Sequence, residues 1–472
     1  MKKTVFAFIA VLLLVSPLFG AYNSWGIPDS SEIREQLSER WFENTLENVR
    51  TNMPEVYINS AGQKFQIRLE EAESTFNIFV SPSAEINVRI YSDKGTRVER
   101  QEVFPGDNAG SWVLVRDKRT GKPLRIRYYF SANSEVYVQF TPHNKIALAD
   151  MVIFDNYVKK GIPTGVPFTS LYKASFQDVL DITKNILPWE YVTVDHTIYH
   201  SNQQMAAVIR ENLPYILFVQ DAMYDENNEL IKISNGKPFD KDEQDDSRLY
   251  LSSAGFVKWI ADGLVEPVAG SQLKREPLIQ PTTEVKDIGY QGVLSQKYDL
   301  FFSLNWIRNL ASAVTSVYTG RTYLYNESGT DVTVNPFSGT ISGNTKSFNG
   351  ISNSVTFVQD SGYNVSVLKS LMYLLAATEP DMAYFGAIRG TDRTVTPEIK
   401  AFNECVIFLP YFKSNDLFDC FVFMNGRAMT LEDFCLIYKE ELVYLTKVRA
   451  SENFFPYSVK ETKKETVSQN YR

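Results

Sequence analysis

Histidine and cysteine are scarce in this chain of 472 residues, which contains three of each. The cysteines are Cys405, Cys420 and Cys435. An odd number cannot form a complete set of internal disulfide bonds, and their spacing is not that of a metal site. We therefore interpret them as core residues with one optional disulfide bond, and we predict neither a metal nor another cofactor.

Excess positive charge and long apolar segments are also missing. The net charge of −8 argues against a nucleic-acid partner, because binding to phosphates requires a basic surface. After residue 20, no apolar run approaches the roughly 18 residues that a membrane span needs. Residues 1–20 combine Lys2 and Lys3 with an apolar run over 5–19, which is typical of a secretory signal peptide. We therefore expect an exported protein in the periplasm, the cell envelope or the extracellular space, without a stable membrane span after signal cleavage; the alternative is a retained N-terminal anchor.

The remaining chain consists of segments with different sequence patterns. Residues 29–50 have apolar positions at helical spacing and predict one amphipathic helix. Residues 54–150 contain short alternating runs separated by turn signals, which predict an antiparallel β-sandwich of the jelly-roll type. Residues 151–458 mix helical and strand patterns, and the polar residues 459–472 predict a disordered tail. The predicted fold class is therefore α+β.

One predicted strand carries Arg125, Arg127 and Tyr129 on alternate positions. Period-two alternation places these three side chains on the same side of the sheet. Such a surface is able to bind a sugar or a protein, but it is also typical of a solvated sheet face without a ligand. The sequence leaves both interpretations open.

Residues 253–257 read Ser-Ala-Gly-Phe-Val and open a predicted helix over 253–264. This stretch resembles the motif Cys-Ser-Gly-Phe-Val of the NlpC/P60 family of papain-like cell-wall cysteine peptidases, in which the cysteine is the nucleophile at the helix N-terminus. Ser253 stands at the cysteine position. The resemblance implies a papain-like α+β domain of the NlpC/P60 type over 151–458.

Residues 404–408 read Glu-Cys-Val-Ile-Phe and resemble the family's histidine strand, His-Val-Gly-Ile-Tyr. Glu404 stands at the histidine position, and Asn425 corresponds by hairpin register to the residue that orients the histidine. The resemblance implies that Ser253, Glu404 and Asn425 occupy the positions of a catalytic triad. It also implies a ligand-binding cleft between the helix and strand 405–412. The residues expected to contact a ligand there are Ser252, Gly255, Lys258, Trp259 and Cys405.

Both substitutions remove a part of the catalytic machinery. Serine is a poor nucleophile without a base, and all three histidines precede Ser253 in the chain. The sequence therefore predicts a catalytically inactive relative that binds peptidoglycan stem peptides or an envelope protein partner. One alternative is an active hydrolase in which Glu404 or His196 is the base for Ser253. The other is a structural or adhesive envelope protein that binds through its β-sandwich.

Overall fold

The computed structural model describes residues 26–92, 95–240, 245–283, 299–341, 356–392, 396 and 398–459. The predicted signal peptide at 1–20 lies outside the described residues, as does the predicted tail except for Val459. The fold is mixed α/β with large antiparallel sheets. The chain divides into two compact units: unit 1, Met1–Val192, and unit 2, Thr193–Arg472. Within the described residues, no helix is both long and apolar enough to cross a membrane.

Unit 1 is built on an antiparallel sheet. The strands of this unit are β1 (Glu55–Ile58), β2 (Lys64–Glu71), β3 (Thr75–Pro82), β4 (Ala84–Ser92), β5 (Gly95–Val103), β6 (Trp112–Asp117), β7 (Pro123–Tyr128), β8 (Val136–His143), β9 (Ile146–Ile153) and β10 (Asn156–Pro163). Eight of them follow one another in the sheet in the order β1-β2-β3-β6-β7-β8-β9-β10, and β4 and β5 form a separate hairpin. This order is a meander rather than the predicted jelly-roll order, in which strands distant in the sequence pair with each other. Short turns between consecutive strands favour such hairpin pairing.

The helices of unit 1 pack on one face of its sheet. They are α1 (Ser31–Leu37), a π-helical turn (Ser38–Phe42), α2 (Leu46–Val49) and α3 (Phe176–Thr183). Phe42 lies against Trp112 of β6 with ring centroids 4.7 Å apart, and Phe176 lies against Tyr128 of β7 at 5.2 Å. Large aromatic side chains therefore fill the core between helices and sheet.

Two predicted segment limits differ from the structure of unit 1. The single helix predicted for 29–50 is divided, because the helical path ends after Phe42 and Thr45 starts α2 as an N-cap. The limit predicted at residue 150 falls inside β9, and β10 continues the sheet to Pro163. Unit 1 itself extends to Val192.

Unit 2 combines helices with a second large sheet. Its helices are α4 (His200–Asn212), α5 (Ser253–Ala269), α6 (Arg275–Leu278), α7 (Phe302–Thr319), α8 (Leu368–Thr378) and α9 (Leu431–Ile437). Its strands are β11 (Ile216–Phe218), β12 (Ala222–Tyr224), β13 (Leu230–Lys232), β14 (Leu249–Leu251), β15 (Gly339–Thr340), β16 (Phe357–Val358), β17 (Gly362–Asn364), β18 (Met382–Asp392), β19 (Ile399–Phe412), β20 (Phe418–Met424), β21 (Arg427–Met429) and β22 (Leu442–Arg449). Seven of these strands form an antiparallel sheet in the order β16-β17-β22-β18-β19-β20-β21.

The two faces of this seven-stranded sheet carry different helices. Helices α4, α5 and α7 cover one face, where Cys405 and Ile407 of β19 join a core with Val257. Helices α8 and α9 cover the other face, where Phe408 packs on Phe434 with ring centroids 5.1 Å apart. Because consecutive residues of a strand point to opposite faces, β19 contributes to both cores.

A β-bulge in β19 determines which of its residues face α5. In the pairing with β18, Glu404 lies opposite Ile388 and Phe402 lies opposite Arg389, so Asn403 is an extra residue. One extra residue reverses the alternation of side chains along a strand. Phe402 therefore points into the α5-side core on one side of the bulge, and the alternation starts again at Glu404.

Candidate functional site

The N-terminus of α5 is held tightly against β12. Ser252 is the N-cap: its Oγ accepts a hydrogen bond from Gly255 N at 3.1 Å and donates one to Ala222 O at 3.0 Å. Gly255 lies so close to β12 that an added Cβ would meet Ala222 O at 2.1 Å. The glycine of the Ser-Ala-Gly-Phe-Val stretch is therefore required by the close approach of the helix to the strand.

Ser253 is the first residue of α5, and its hydroxyl is bonded to the backbone of β19. The Oγ atom accepts a hydrogen bond from Cys405 N at 2.5 Å and donates one to Cys405 O at 3.3 Å. The N–H and C=O groups of one residue in an antiparallel strand point to the same side. The pairing of β19 with β20 begins only at Ile407 and Phe423. The Ser253 hydroxyl thus takes the place of a strand partner at a position that β20 does not reach.

Glu404 lies on the opposite face of the sheet from Ser253. Its Oε2 atom accepts a hydrogen bond from the Tyr438 hydroxyl at 3.0 Å, just beyond the end of α9. Burial raises the pKa of Glu404, and hydrogen bonds from Tyr438 and Asn425 oppose this shift. The resemblance implied that Ser253 and Glu404 occupy neighbouring catalytic positions. In the structure each side chain has its own partners, and no hydrogen bond joins Ser253 to Glu404 among the described residues.

Asn425 completes a small cluster around the Glu404 carboxylate. It lies in the two-residue turn between β20 and β21, where Asn425 and Gly426 have φ angles of 52° and 69°. Positive φ at both positions is typical of the Asn-Gly type I′ hairpin turn. We name Glu404, Asn425 and Tyr438 the Glu404 cluster. The sequence did not point to Tyr438, although its spacing of four residues from the core residue Phe434 is a helical signal.

The residues expected to contact a ligand lie inside the protein. Ser252, Gly255, Lys258, Trp259 and Cys405 are all buried. Lys258 Nζ donates hydrogen bonds to Asp262 Oδ2 at 2.7 Å and to Tyr224 O at 2.9 Å. Trp259 Nε1 donates a hydrogen bond to Tyr457 O at 2.7 Å. Burial raises the pKa of the Cys405 thiol to about 12. These side chains hold α5 in place and do not line a cleft open to solvent.

His196 is too far from Ser253 to be its base. Its Nδ1 atom lies 2.9 Å from Asp416 Oδ1, in the turn that connects β19 to β20. Ser253 contacts Cys405, and β19 continues for seven more residues to Phe412 before that turn. Seven residues of an extended strand span about 23 Å. Within the described part of the chain, no group of three or more His, Cys, Asp or Glu side chains is placed to hold a metal ion.

Comparison with known proteins gives one match, and it lies in unit 1. Residues 23–191 match the family model described as a domain of unknown function (DUF8515). The match ends one residue before the limit of unit 1, at Val192. Curated proteins and solved structures gave no match to the chain. The match therefore supports unit 1 as a separate module and assigns no activity to either unit.

Proposed function

We propose that this chain is an exported, non-catalytic protein whose unit 2 is related to the NlpC/P60-like peptidases and binds peptidoglycan stem peptides. The observation that carries the proposal is the position of Ser253. Its hydroxyl is bonded to both backbone groups of Cys405, on the face of the sheet opposite Glu404. A serine nucleophile needs a base within hydrogen-bond reach, and neither His196 nor Glu404 is placed to be that base.

The order of the elements supports the relationship to this family. The Ser253 helix comes first, and its N-terminus contacts the strand that carries Glu404. The next strand, β20, ends at Met424, and Asn425 follows it in the turn, where its side chain hydrogen-bonds to Glu404. This is the order in which the NlpC/P60-like resemblance implies a nucleophile, a base and an orienting residue. We infer that the order of these elements is retained while the catalytic chemistry is lost.

The Glu404 cluster is the binding site that we propose. The carboxylate of Glu404 is half-buried, and its hydrogen-bond partners are the neutral Tyr438 hydroxyl and Asn425 amide. No lysine or arginine among the described residues pairs with it. Asn425 Oδ1 is also buried, without a partner in the described part of the chain. A carboxylate without a cationic partner and an amide oxygen without a donor fit the ammonium group of a diamino acid in a stem peptide.

Restoring the cysteine should not restore cleavage. We expect wild-type protein and Ser253→Cys to release no new fragments from purified sacculi or soluble stem peptides, because the base is still missing. Mass spectrometry of the incubated peptides is the measurement. Fragments released by Ser253→Cys and absent with Ser253→Ala would contradict the non-catalytic assignment, and would show that a base is supplied from elsewhere.

Removing the charge of Glu404 should weaken peptide binding about tenfold or more, because a hydrogen bond to a charged group contributes about 1.5–3 kcal/mol. Titration calorimetry would compare Glu404→Gln with wild type, using a soluble stem peptide that carries a diamino acid. The matched control is Glu440→Gln, which removes an exposed carboxylate just after α9.

The same peptide with its side-chain amine acetylated is the ligand control. We expect wild-type protein to bind it as weakly as Glu404→Gln binds the free amine. Equal binding of the free and the acetylated peptide would rule out the proposed role of Glu404. Association with sacculi that persists after the stem peptides are removed enzymatically would instead favour a protein partner in the envelope.

A further inference from the structure

The second face of the unit 1 sheet, opposite its helices, is unusually polar. Strand register places Asn77 of β3, Arg125 and Arg127 of β7, and Gln139 of β8 on this face. Tyr137 of β8 lies on the same face, since it alternates with Gln139 in period two. We name these five residues the polar face of unit 1.

Four side-chain atoms of the polar face are buried without a hydrogen-bond partner among the described residues. They are Asn77 Oδ1, Arg125 Nε, Arg127 Nε and Gln139 Oε1. Buried polar atoms are paired in most proteins, and an unpaired one is costly. Two of these atoms are donors and two are acceptors. Their concentration on one face is therefore a feature that structural stability alone does not explain.

Both arginines also lack a carboxylate partner within the described residues. Asp150 lies on this face beside Gln139, but its oxygens accept hydrogen bonds from Gln139 Nε2 at 2.9 Å and from Gly161 N at 2.6 Å. Glu70 lies on the same face and pairs with Arg68 at 2.7 Å. Neither carboxylate forms an ion pair with Arg125 or Arg127 among the described residues, and two like charges lie side by side.

Burial and the neighbouring charge of Arg127 both lower the pKa of Arg125. Both arginine side chains are half-buried, so neither charge is fully screened by water. The Arg127 guanidinium lies over the Tyr137 ring, 4.7 Å from its centroid. A third cation, Lys160 of β10, lies 4.6 Å from the ring centroid of Tyr157 on the same strand. The local surplus of positive charge favours an anionic ligand.

We propose that the polar face of unit 1 binds an acidic saccharide. Its carboxylate would pair with the Arg125 and Arg127 guanidinium groups, which are suited to bidentate contacts. Its hydroxyl groups both donate and accept, so they would also satisfy Gln139 Oε1, which belongs to the residue opposite Arg127 in the strand register. A simple anion such as sulfate offers acceptors only, and would leave that oxygen unpaired. Because the unpaired atoms are buried in the free protein, the Arg125, Arg127 and Gln139 side chains would have to turn toward the ligand.

This site lies in unit 1 and does not depend on the function proposed for unit 2. Saturation-transfer NMR on the full chain tests it with glucuronic acid and with glucose, which differ only at the carboxylate. We expect glucuronic acid to bind at least tenfold more tightly than glucose. Arg127→Gln should remove this preference, and Gln139→Leu should weaken binding of both sugars.

The matched control is Arg89→Gln, which removes an exposed arginine of β4 in the separate hairpin and should change nothing. Circular dichroism and thermal melting of each variant establish that it is folded. Failure of glucuronic acid to bind at millimolar concentration would overturn the proposal. So would inorganic sulfate binding as tightly as glucuronic acid, or an unchanged preference in Arg127→Gln.

Discussion

Replacing Lys258 with methionine is expected to lower the free energy of unfolding by about 3–5 kcal/mol, because it leaves a buried carboxylate without its cation. Lys258 and Asp262 are 1% and 4% exposed, and their Nζ and Oδ2 atoms are 2.7 Å apart. Asp262 Oδ1 also accepts a hydrogen bond from Leu273 N at 2.9 Å. Urea denaturation monitored by circular dichroism measures the loss.

The loss of stability caused by Lys258→Met should depend on pH. Burial raises the pKa of Asp262 above its usual value of 3.8, while Lys258 and Leu273 N oppose the shift. Without Lys258 the pKa of Asp262 in the folded state rises further. The folded protein therefore holds the Asp262 proton more firmly than the unfolded chain does. Stability then falls as the pH rises from 3.8 through the folded-state pKa. The destabilisation should accordingly be smaller at acidic pH than at pH 8.

A second variant separates this structural role from the ligand-binding role predicted for Lys258. The double variant Lys258→Met with Asp262→Leu removes both charges and should recover most of the lost stability. If Lys258→Met alone kept full stability but lost peptide binding, the structural role of Lys258 would be contradicted and contact with a ligand would be supported.

Replacing Arg308 with methionine is also expected to lower the free energy of unfolding, by about 1.5–3 kcal/mol, the usual contribution of hydrogen bonds to a charged group. Arg308 is 2% exposed and projects from α7. It donates hydrogen bonds to Asp360 Oδ1 at 2.8 Å and to the Tyr444 hydroxyl at 2.7 Å, and its Nε atom lies 3.5 Å from Asp331 Oδ2. The guanidinium therefore ties α7 to β22 and to the turn before β17.

Arg210→Met is the matched control for Arg308→Met. Arg210 is an exposed arginine in the same unit, and its guanidinium lies over the Phe421 ring, 4.4 Å from the centroid. An exposed cation–π contact contributes about 0.5–1 kcal/mol. Chemical denaturation of both variants measures their free energies of unfolding. An equally small loss of stability in the two variants would show that the Arg308 contacts are not cooperative.

Many elements of unit 2 follow from local patterns. The helix predicted to begin at Ser253 does begin there, and it continues to Ala269. The apolar segment 367–378 forms α8, Leu368–Thr378, and the segment 443–448 lies in β22, Leu442–Arg449. Helical spacing and β alternation reflect the periodicity of the backbone itself, so they can be read without knowing which elements pack together.

The partners of the strands could not be predicted in the same way. Alternation in 54–150 shows that one face of each strand is buried, but it does not specify which strand lies beside it. The strands form a meander rather than the predicted jelly-roll order, because short turns favour pairing between strands that follow one another in the chain.

The buried ion pair of α5 illustrates a signal that was present but ambiguous. Lys258 and Asp262 are four residues apart, which is the spacing of a helical ion pair. Only the structure places them in the interior, because α5 is covered around its whole circumference from Ser253 to Val265. The i, i+4 pattern is the same whether the lysine is exposed or buried. The resemblance to the NlpC/P60 family favoured an exposed Lys258 that contacts a ligand.

The sequence by itself determined the order of the elements: a helix that begins at Ser253, a strand that carries Glu404 and a hairpin turn at Asn425. Motif order and hairpin register are properties of the chain and were sufficient for that. The tertiary structure decided which way each side chain points. The extra residue Asn403 reverses the alternation of β19, so Glu404 faces α9, while the backbone of Cys405 receives the Ser253 hydroxyl. A single bulge is nearly invisible in a sequence pattern, yet it determines which face of the sheet the Glu404 side chain joins.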